Sequence, residues 1–208
     1  FAKAFKRHFG ATPTEYRKRK RGNEIGNGEA ALSLKVGYDA DMVFARPTGD
    51  ERRTTMEAEI REMPAFEVAY VRKIGPYGKE ICEAAFGELM QWAGPRGHVN
   101  GPMLMLYWDN PEVTPKEKCR VDACAGVPEG TKPDGRVGIQ KLRSGPYAVC
   151  RFETAGDFQR AWEEAFAWVV NGGYECDDAP TYELYHNDAS QHPEGKWIFD
   201  ICIPLKSQ

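Results

Sequence analysis

The feature that most constrains the fold is a strand-like segment that occurs twice. Residues 102–109 read PMLMLYWD, and 78 residues later residues 180–187 read PTYELYHN, with Pro, Leu and Tyr at the same places. Tyr and Thr are common in strands, and a Pro is tolerated at a strand start, where no ladder N–H is needed. Asp122 likewise recurs as Asp200. The chain therefore contains an internal duplication.

The duplication covers a complete set of elements. The motif EAAF at 83–86 recurs as EEAF at 163–166, each within a segment of helical apolar periodicity. The pattern predicts strands 56–63, 66–72, 103–108 and 118–127 around helix 79–93, and then strands 136–143, 147–153, 180–186 and 196–203 around helix 156–170.

Each half would leave one sheet face uncovered and can bury it only against the other half. We therefore predict an α+β fold. Duplicated β-α-β-β units, with half-repeats of about 56–128 and 136–206, form one pseudo-two-fold antiparallel-sheet domain with a central ligand cleft.

Side chains alternate between the two faces of a strand. In the second copy, Glu183 and Tyr185 share one face, while Tyr182 and Leu184 share the other. We expect each helix to cover the face that bears Leu104 and Leu106, or Tyr182 and Leu184. The opposite face is then left for the cleft.

A carboxylate between aromatic residues inside a strand requires an explanation. Glu183 stands where the first copy has Met105, so the duplication is broken at this position. Aromatic rings around an acid favour flat, apolar, often cationic molecules, and Met makes such a wall adaptable. The predicted ligand-binding residues are Glu183, Tyr185, Tyr107, Met105, Tyr147, Trp197 and Phe199. The alternative is a partly exposed Glu183 paired with Lys or Arg, and rings that only pack the core.

The charge is divided unevenly along the chain. Residues 1–23 carry eight Lys and Arg against one Glu, so this head is basic while the body is acidic. A basic head is suited to contact with polyanions. No apolar run reaches the length of a membrane span, and the six cysteines form no C-x-x-C pair. We expect a cytoplasmic protein with reduced thiols, and with neither a metal nor a cofactor.

The basic head carries a recognisable motif. Residues 1–17, FAKAFKRHFGATPTEYR, resemble the closing segment of AraC/XylS-type helix-turn-helix regulators. The resemblance implies that 1–23 is the C-terminal remnant of such a DNA-binding domain, that 24–55 is a linker and that 56–208 is an effector-binding domain. Lys6, Arg7 and Arg17 would contact DNA phosphates. The alternative is a solvated basic tail.

A second resemblance covers the body. The turn Gly75-Pro76-Tyr77, the segment YWDNPE at 107–112 and the segment YELY at 182–185 are similar to GyrI-like small-molecule-binding domains. The resemblance implies the duplicated fold. It also implies that Glu183 is the acidic residue that drug-binding members use.

Three functions remain open at this point. The favoured one is a ligand-responsive transcriptional regulator that is not an enzyme. A toxin-binding protein or hydrolase would use Glu183 as a general base and a Tyr as a proton donor. A DNA gyrase inhibitor is suggested by 109–122, which resembles that protein. Whether the chain forms a homodimer also stays open.

Overall fold

The computed structural model describes residues 56–207, which form an eight-stranded antiparallel sheet with two helices. The elements in chain order are β1 Glu57–Met63, β2 Phe66–Ile74, α1 Lys79–Ala93, β3 Met103–Tyr107, β4 Arg120–Gly126, β5 Gly138–Leu142, β6 Gly145–Thr154, α2 Phe158–Asn171, β7 Thr181–Tyr185 and β8 Trp197–Pro204. The predicted α+β fold class is confirmed. In this part of the chain, neither helix has the length and apolar character needed to cross a membrane. The predicted DNA-binding remnant, the linker and Lys6, Arg7 and Arg17 lie outside the described residues.

The strand order shows how the two repeats combine. It runs β1-β6-β8-β7-β3-β4-β2-β5, so the pseudo-two-fold axis passes between β3 and β7. Their register places Met105 opposite Glu183. The first strand of each repeat pairs with a strand of the other repeat: β1 pairs with β6, and β5 pairs with β2. The repeats therefore exchange their edge strands.

Two short connections force the sheet to curve. Residues 64–65 join β1 to β2, and residues 143–144 join β5 to β6, although each connection links strands near opposite ends of the sheet. Three Cα steps span at most about 11 Å. The two ends of the sheet must therefore approach each other. The enclosed face forms one apolar cluster with members from all eight strands, among them Leu104, Leu106 and Tyr182.

The helices cover the other face. α1 packs Ala85 and Leu89 with Met105, and α2 packs Trp162 and Ala165 with strands β6 and β8. The expectation that the helices cover the Leu104, Leu106, Tyr182 and Leu184 face is therefore wrong. The physical reason is the curvature, because a sheet that closes on its own apolar face needs no helix there.

Two buried carboxylates hold the enclosed face at equivalent positions of the repeats. Asp122 on β4 accepts two hydrogen bonds of 2.7 Å from Arg72 and one of 2.7 Å from the Trp108 indole. Asp200 on β8 contacts Arg151 at 2.8 Å and the His186 imidazole at 2.9 Å. Burial opposes ionisation of Asp200, but these partners hold its pKa below the usual value.

We expect Asp200→Ala to destabilise the fold by about 2 kcal/mol, because it leaves the Arg151 guanidinium and the His186 imidazole without their buried acceptor. Breaking a fully buried pair costs about 3–5 kcal/mol, and the 46% exposure of the Arg151 side chain reduces that cost. Urea unfolding measures the change. As a control, Glu59→Ala removes the exposed partner of Arg61 and should cost less than about 1 kcal/mol. Equal losses in the two variants would contradict this role of Asp200.

Candidate functional site

The candidate site centres on the Glu183 carboxylate, at the middle of the sheet and on the helix-covered face. Glu183 is 2% exposed. The Trp162 indole on α2 donates to Oε1 at 2.7 Å. The hydroxyls of Tyr185 and Tyr107 donate to Oε2 at 2.5 Å and 3.2 Å. Three neutral donors from both repeats therefore surround one acid, and we call this arrangement the Glu183 site.

The charge of Glu183 has no cationic partner within residues 56–207, where none of the ion pairs includes it. The alternative of a partly exposed carboxylate paired with Lys or Arg is therefore wrong. Burial raises the pKa of Glu183 above the ordinary value, while the hydrogen bonds from Tyr185, Trp162 and Tyr107 act in the opposite direction. The site is a buried acid whose ionised form is only partly compensated.

Aromatic rings from both repeats enclose the carboxylate. Tyr107 of the first repeat meets Trp162 of the second edge to face, with ring centroids 5.4 Å apart. Tyr185 of the second repeat meets Phe86 of the first in the same geometry at 5.7 Å. Neither repeat could build this enclosure alone.

The other predicted residues have different positions. Met105 is fully buried opposite Glu183. Trp197 and Phe199 reach Tyr185, with ring centroids at 5.4 Å and 6.1 Å, and so form an outer layer. Tyr147 belongs to the apolar cluster of the enclosed face. The prediction that Tyr147 lines the same cleft is wrong, because the register of β6 turns its side chain away from the helices.

Trp162 is the site residue that the sequence reasoning missed. It lies on the apolar side of α2, where it packs with Ala161 and Ala165. A comparison of the two repeats could have identified it. Trp162 takes the place of Cys82 in the first repeat, just as Glu183 takes the place of Met105. At two positions where the repeats differ, the second repeat therefore has a donor, Trp162, and its acceptor, Glu183.

Cys82 lies beside the site but has little nucleophilic character. Its sulfur is 3.9 Å from the Tyr107 hydroxyl. Burial, with a contribution from the nearby charge of Glu183, raises the pKa of Cys82 to about 12. A thiol is nucleophilic as the thiolate. The arrangement therefore favours binding through charge and ring contacts over covalent chemistry at Cys82.

Comparison with known proteins points to one family. The model of the GyrI-like small-molecule binding domain matches residues 56–206. The DNA gyrase inhibitor of Salmonella typhimurium (strain LT2) is 31% identical over 157 residues, which are 73% of this chain and 99% of that protein. The DNA gyrase inhibitor of Escherichia coli (strain K12) is 28% identical over 156 residues, which are 73% and 98% of the two chains.

Solved structures show the same fold. The crystal structure of the EcmrR C-terminal domain has a TM-score of 0.59 at 18% identity and covers 74% of this chain and 99% of that one. A chain of the EcmrR–DNA complex has a TM-score of 0.58 at 17% identity, with 74% and 58% covered. The family model spans most of the chain, which therefore belongs to the family of GyrI-like small-molecule binding domains.

Proposed function

We propose that the Glu183 site binds a small aromatic or apolar cation and that the chain is the ligand-sensing part of a transcriptional regulator. The observation that carries the proposal is the buried Glu183 carboxylate, which has three neutral donors and no cationic partner within the described residues. Its position between the two repeats lets one ligand contact both.

The energetics of burial favour a cationic ligand. An ionised carboxylate withdrawn from water loses several kcal/mol of solvation, and neutral hydrogen bonds return only part of it. A bound cation supplies the missing charge. The rings of Tyr107 and Tyr185 add cation–π contacts, each worth about 0.5–2 kcal/mol. The ligand and the acid thus compensate each other.

Entry requires one of the three donors to move. Tyr107 and Tyr185 are on central strands that are hydrogen-bonded on both sides. Trp162 is the donor carried by a helix. Displacing Trp162 therefore disturbs the fold least. A ligand in its place would contact Glu183 directly and shift the N-terminal half of α2, which couples binding to a change of shape.

The regulatory part of the proposal comes from the N-terminal head. Residues 1–17 resemble the AraC/XylS motif, and the surplus of basic residues in 1–23 suits a DNA partner. Lys6, Arg7 and Arg17 remain the predicted phosphate contacts. We do not favour a hydrolase, because both tyrosine hydroxyls already donate to Glu183 and would have to leave it to protonate a substrate.

We expect tetraphenylphosphonium to raise the melting temperature of the wild-type protein and to bind Glu183→Gln at least about tenfold more weakly. Gln keeps the shape of the side chain but removes its charge. At a ligand concentration of about 100 Kd, binding adds roughly 2.7 kcal/mol of stability. Thermal shift and titration calorimetry measure the two quantities.

Two controls isolate the charge of Glu183. Glu163→Gln, one residue after Trp162 on α2, removes the same net charge from outside the site and should leave the affinity unchanged. Neutral triphenylphosphine oxide should bind the wild type and Glu183→Gln about equally. Equal cation affinity in the wild type and Glu183→Gln would refute the proposed anchor.

The raised pKa of Glu183 predicts opposite pH trends for the free and bound protein. A carboxyl whose pKa is raised in the folded state makes its full contribution to stability at pH values below its ordinary pKa of 4.5. This contribution is lost as the pH rises through the pKa of the folded state. The wild type should therefore lose stability relative to Glu183→Gln with rising pH, by at most about 1.4 kcal/mol per unit. Cation affinity should increase over the same range, with proton release. Parallel stability curves for the two proteins would contradict this titration.

Gyrase inhibition is a second candidate, supported by the similarity to DNA gyrase inhibitors and by the rigid loop 108–119, which joins β3 to β4. Asp109 accepts hydrogen bonds from the backbone and side chain of Arg120, and Tyr77 bonds both ends of the loop. Val113 at the loop is 61% exposed. Such an exposed apolar side chain on a fixed loop suits a protein contact.

A supercoiling assay distinguishes the two candidates. If sensing is the function, the protein at micromolar concentration leaves gyrase activity unchanged. Inhibition by the wild type that Val113→Glu abolishes, with cation binding intact, would establish the second candidate instead.

A further inference from the structure

A second concave site lies on the enclosed face of the sheet, away from Glu183. It is a cleft of about 170 Å³ between the β5–β6 connection and the start of β7. We call it the Trp108 cleft. Its lining residues are Trp108, Lys141, Leu142, Arg143, Tyr147, Ala179, Pro180 and Tyr182. For comparison, an apolar cavity of about 150 Å³ admits benzene. The Trp108 cleft therefore has room for a single aromatic ring.

The walls of the Trp108 cleft are aromatic and held in place. The rings of Tyr147 and Tyr182 pack against each other with centroids 5.5 Å apart. Trp108 donates its indole N–H to Asp122, and its ring is flanked by the guanidinium groups of Arg72 at 5.1 Å and Arg120 at 5.6 Å. A ring that is fixed in this way loses little freedom when a ligand packs on it.

The polar end of the cleft holds the ion pair of Arg143 and Asp177. Arg143 is 46% exposed, bonds Asp177 through one nitrogen and also interacts with the Tyr147 hydroxyl. A guanidinium has five N–H donors, so this bond leaves donors for a second anion. The buried carboxylate that bonds Trp108, Asp122, is neutralised by Arg72. Lys141 belongs to the wall, but alternation along β5 turns its side chain to the other face, so the charge argument rests on Arg143.

The duplication is broken here as it is at Glu183. The first repeat has Val68 where the second has Tyr147, Leu104 in place of Tyr182, and Pro64 in place of Arg143. The equivalent of Trp108 in the second repeat is His186. The aromatic walls and the cation therefore occur together at one end of the enclosed face.

We propose that the Trp108 cleft binds a single-ring aromatic carboxylate. The ring lies against Trp108 and the edges of Tyr147 and Tyr182, and the carboxylate takes the bidentate geometry that Arg143 offers. The chain then has two sites of opposite charge preference on the two faces of one sheet. This site does not depend on the function proposed for Glu183.

The test is an NMR titration of the full chain with benzoate, following the tryptophan indole resonances. Benzoate should bind saturably, and benzylamine, of the same size but opposite charge, should bind about tenfold more weakly. Arg143→Gln should weaken benzoate about fivefold, as expected for a partly exposed charge-assisted bond. Ala179→Trp should abolish binding, because Ala179 lines the cleft just before β7 and the larger side chain would fill it.

Two variants serve as matched controls. Arg136→Gln removes a cation whose side chain is 87% exposed and outside the cleft, and Glu183→Gln removes the charge of the other site. Both should bind benzoate like the wild type. Benzylamine binding as tightly as benzoate, no saturable benzoate shift, or benzoate binding that persists in Ala179→Trp would each overturn the proposal.

Discussion

The structure depends most on one pairing, that of β3 with β7, which sets Met105 opposite Glu183 on the pseudo-two-fold axis. A symmetric duplication would place the same residue at both positions. The second repeat instead places an acid there and a tryptophan donor on the helix above it. Because the axis runs through this pair, the acid lies where side chains of both repeats converge. The site of broken symmetry and the site of shared contact are therefore the same place.

The architecture explains why that place is buried. Exchanged edge strands tie the repeats together, and two two-residue connections curve the sheet around its own apolar face. The helices are then left to cover the opposite face, where they enclose Glu183 with the rings of Tyr107 and Tyr185. Buried ion pairs at Asp122 and Asp200 hold the curved face at equivalent positions. The curvature thus places Asp122 and Asp200, which are neutralised, on one face of the sheet, and Glu183, which has no cationic partner within residues 56–207, on the other.

Much of the fold, and the position of Glu183, could be predicted from the sequence. The repeat located the strands and helices and singled out Glu183, because substitutions against an internal copy are visible without any other protein. The face covered by the helices was predicted wrongly, since both faces of the central strands are apolar and alternation alone does not rank them. Tyr147 was misplaced for the same reason. The strand exchange and the bond from Trp162 depend on three-dimensional closure, which local pattern does not encode.

We propose that Glu183 is a buried acid that binds a cation. The most direct measurement is the titration of its side-chain carboxyl by carbon-detected NMR, with and without tetraphenylphosphonium, using Glu183→Gln to assign the resonance. The free protein should show a pKa above the ordinary carboxyl value, and the bound cation should lower it. An ordinary pKa in the free protein, or one that the cation leaves unchanged, would contradict the claim.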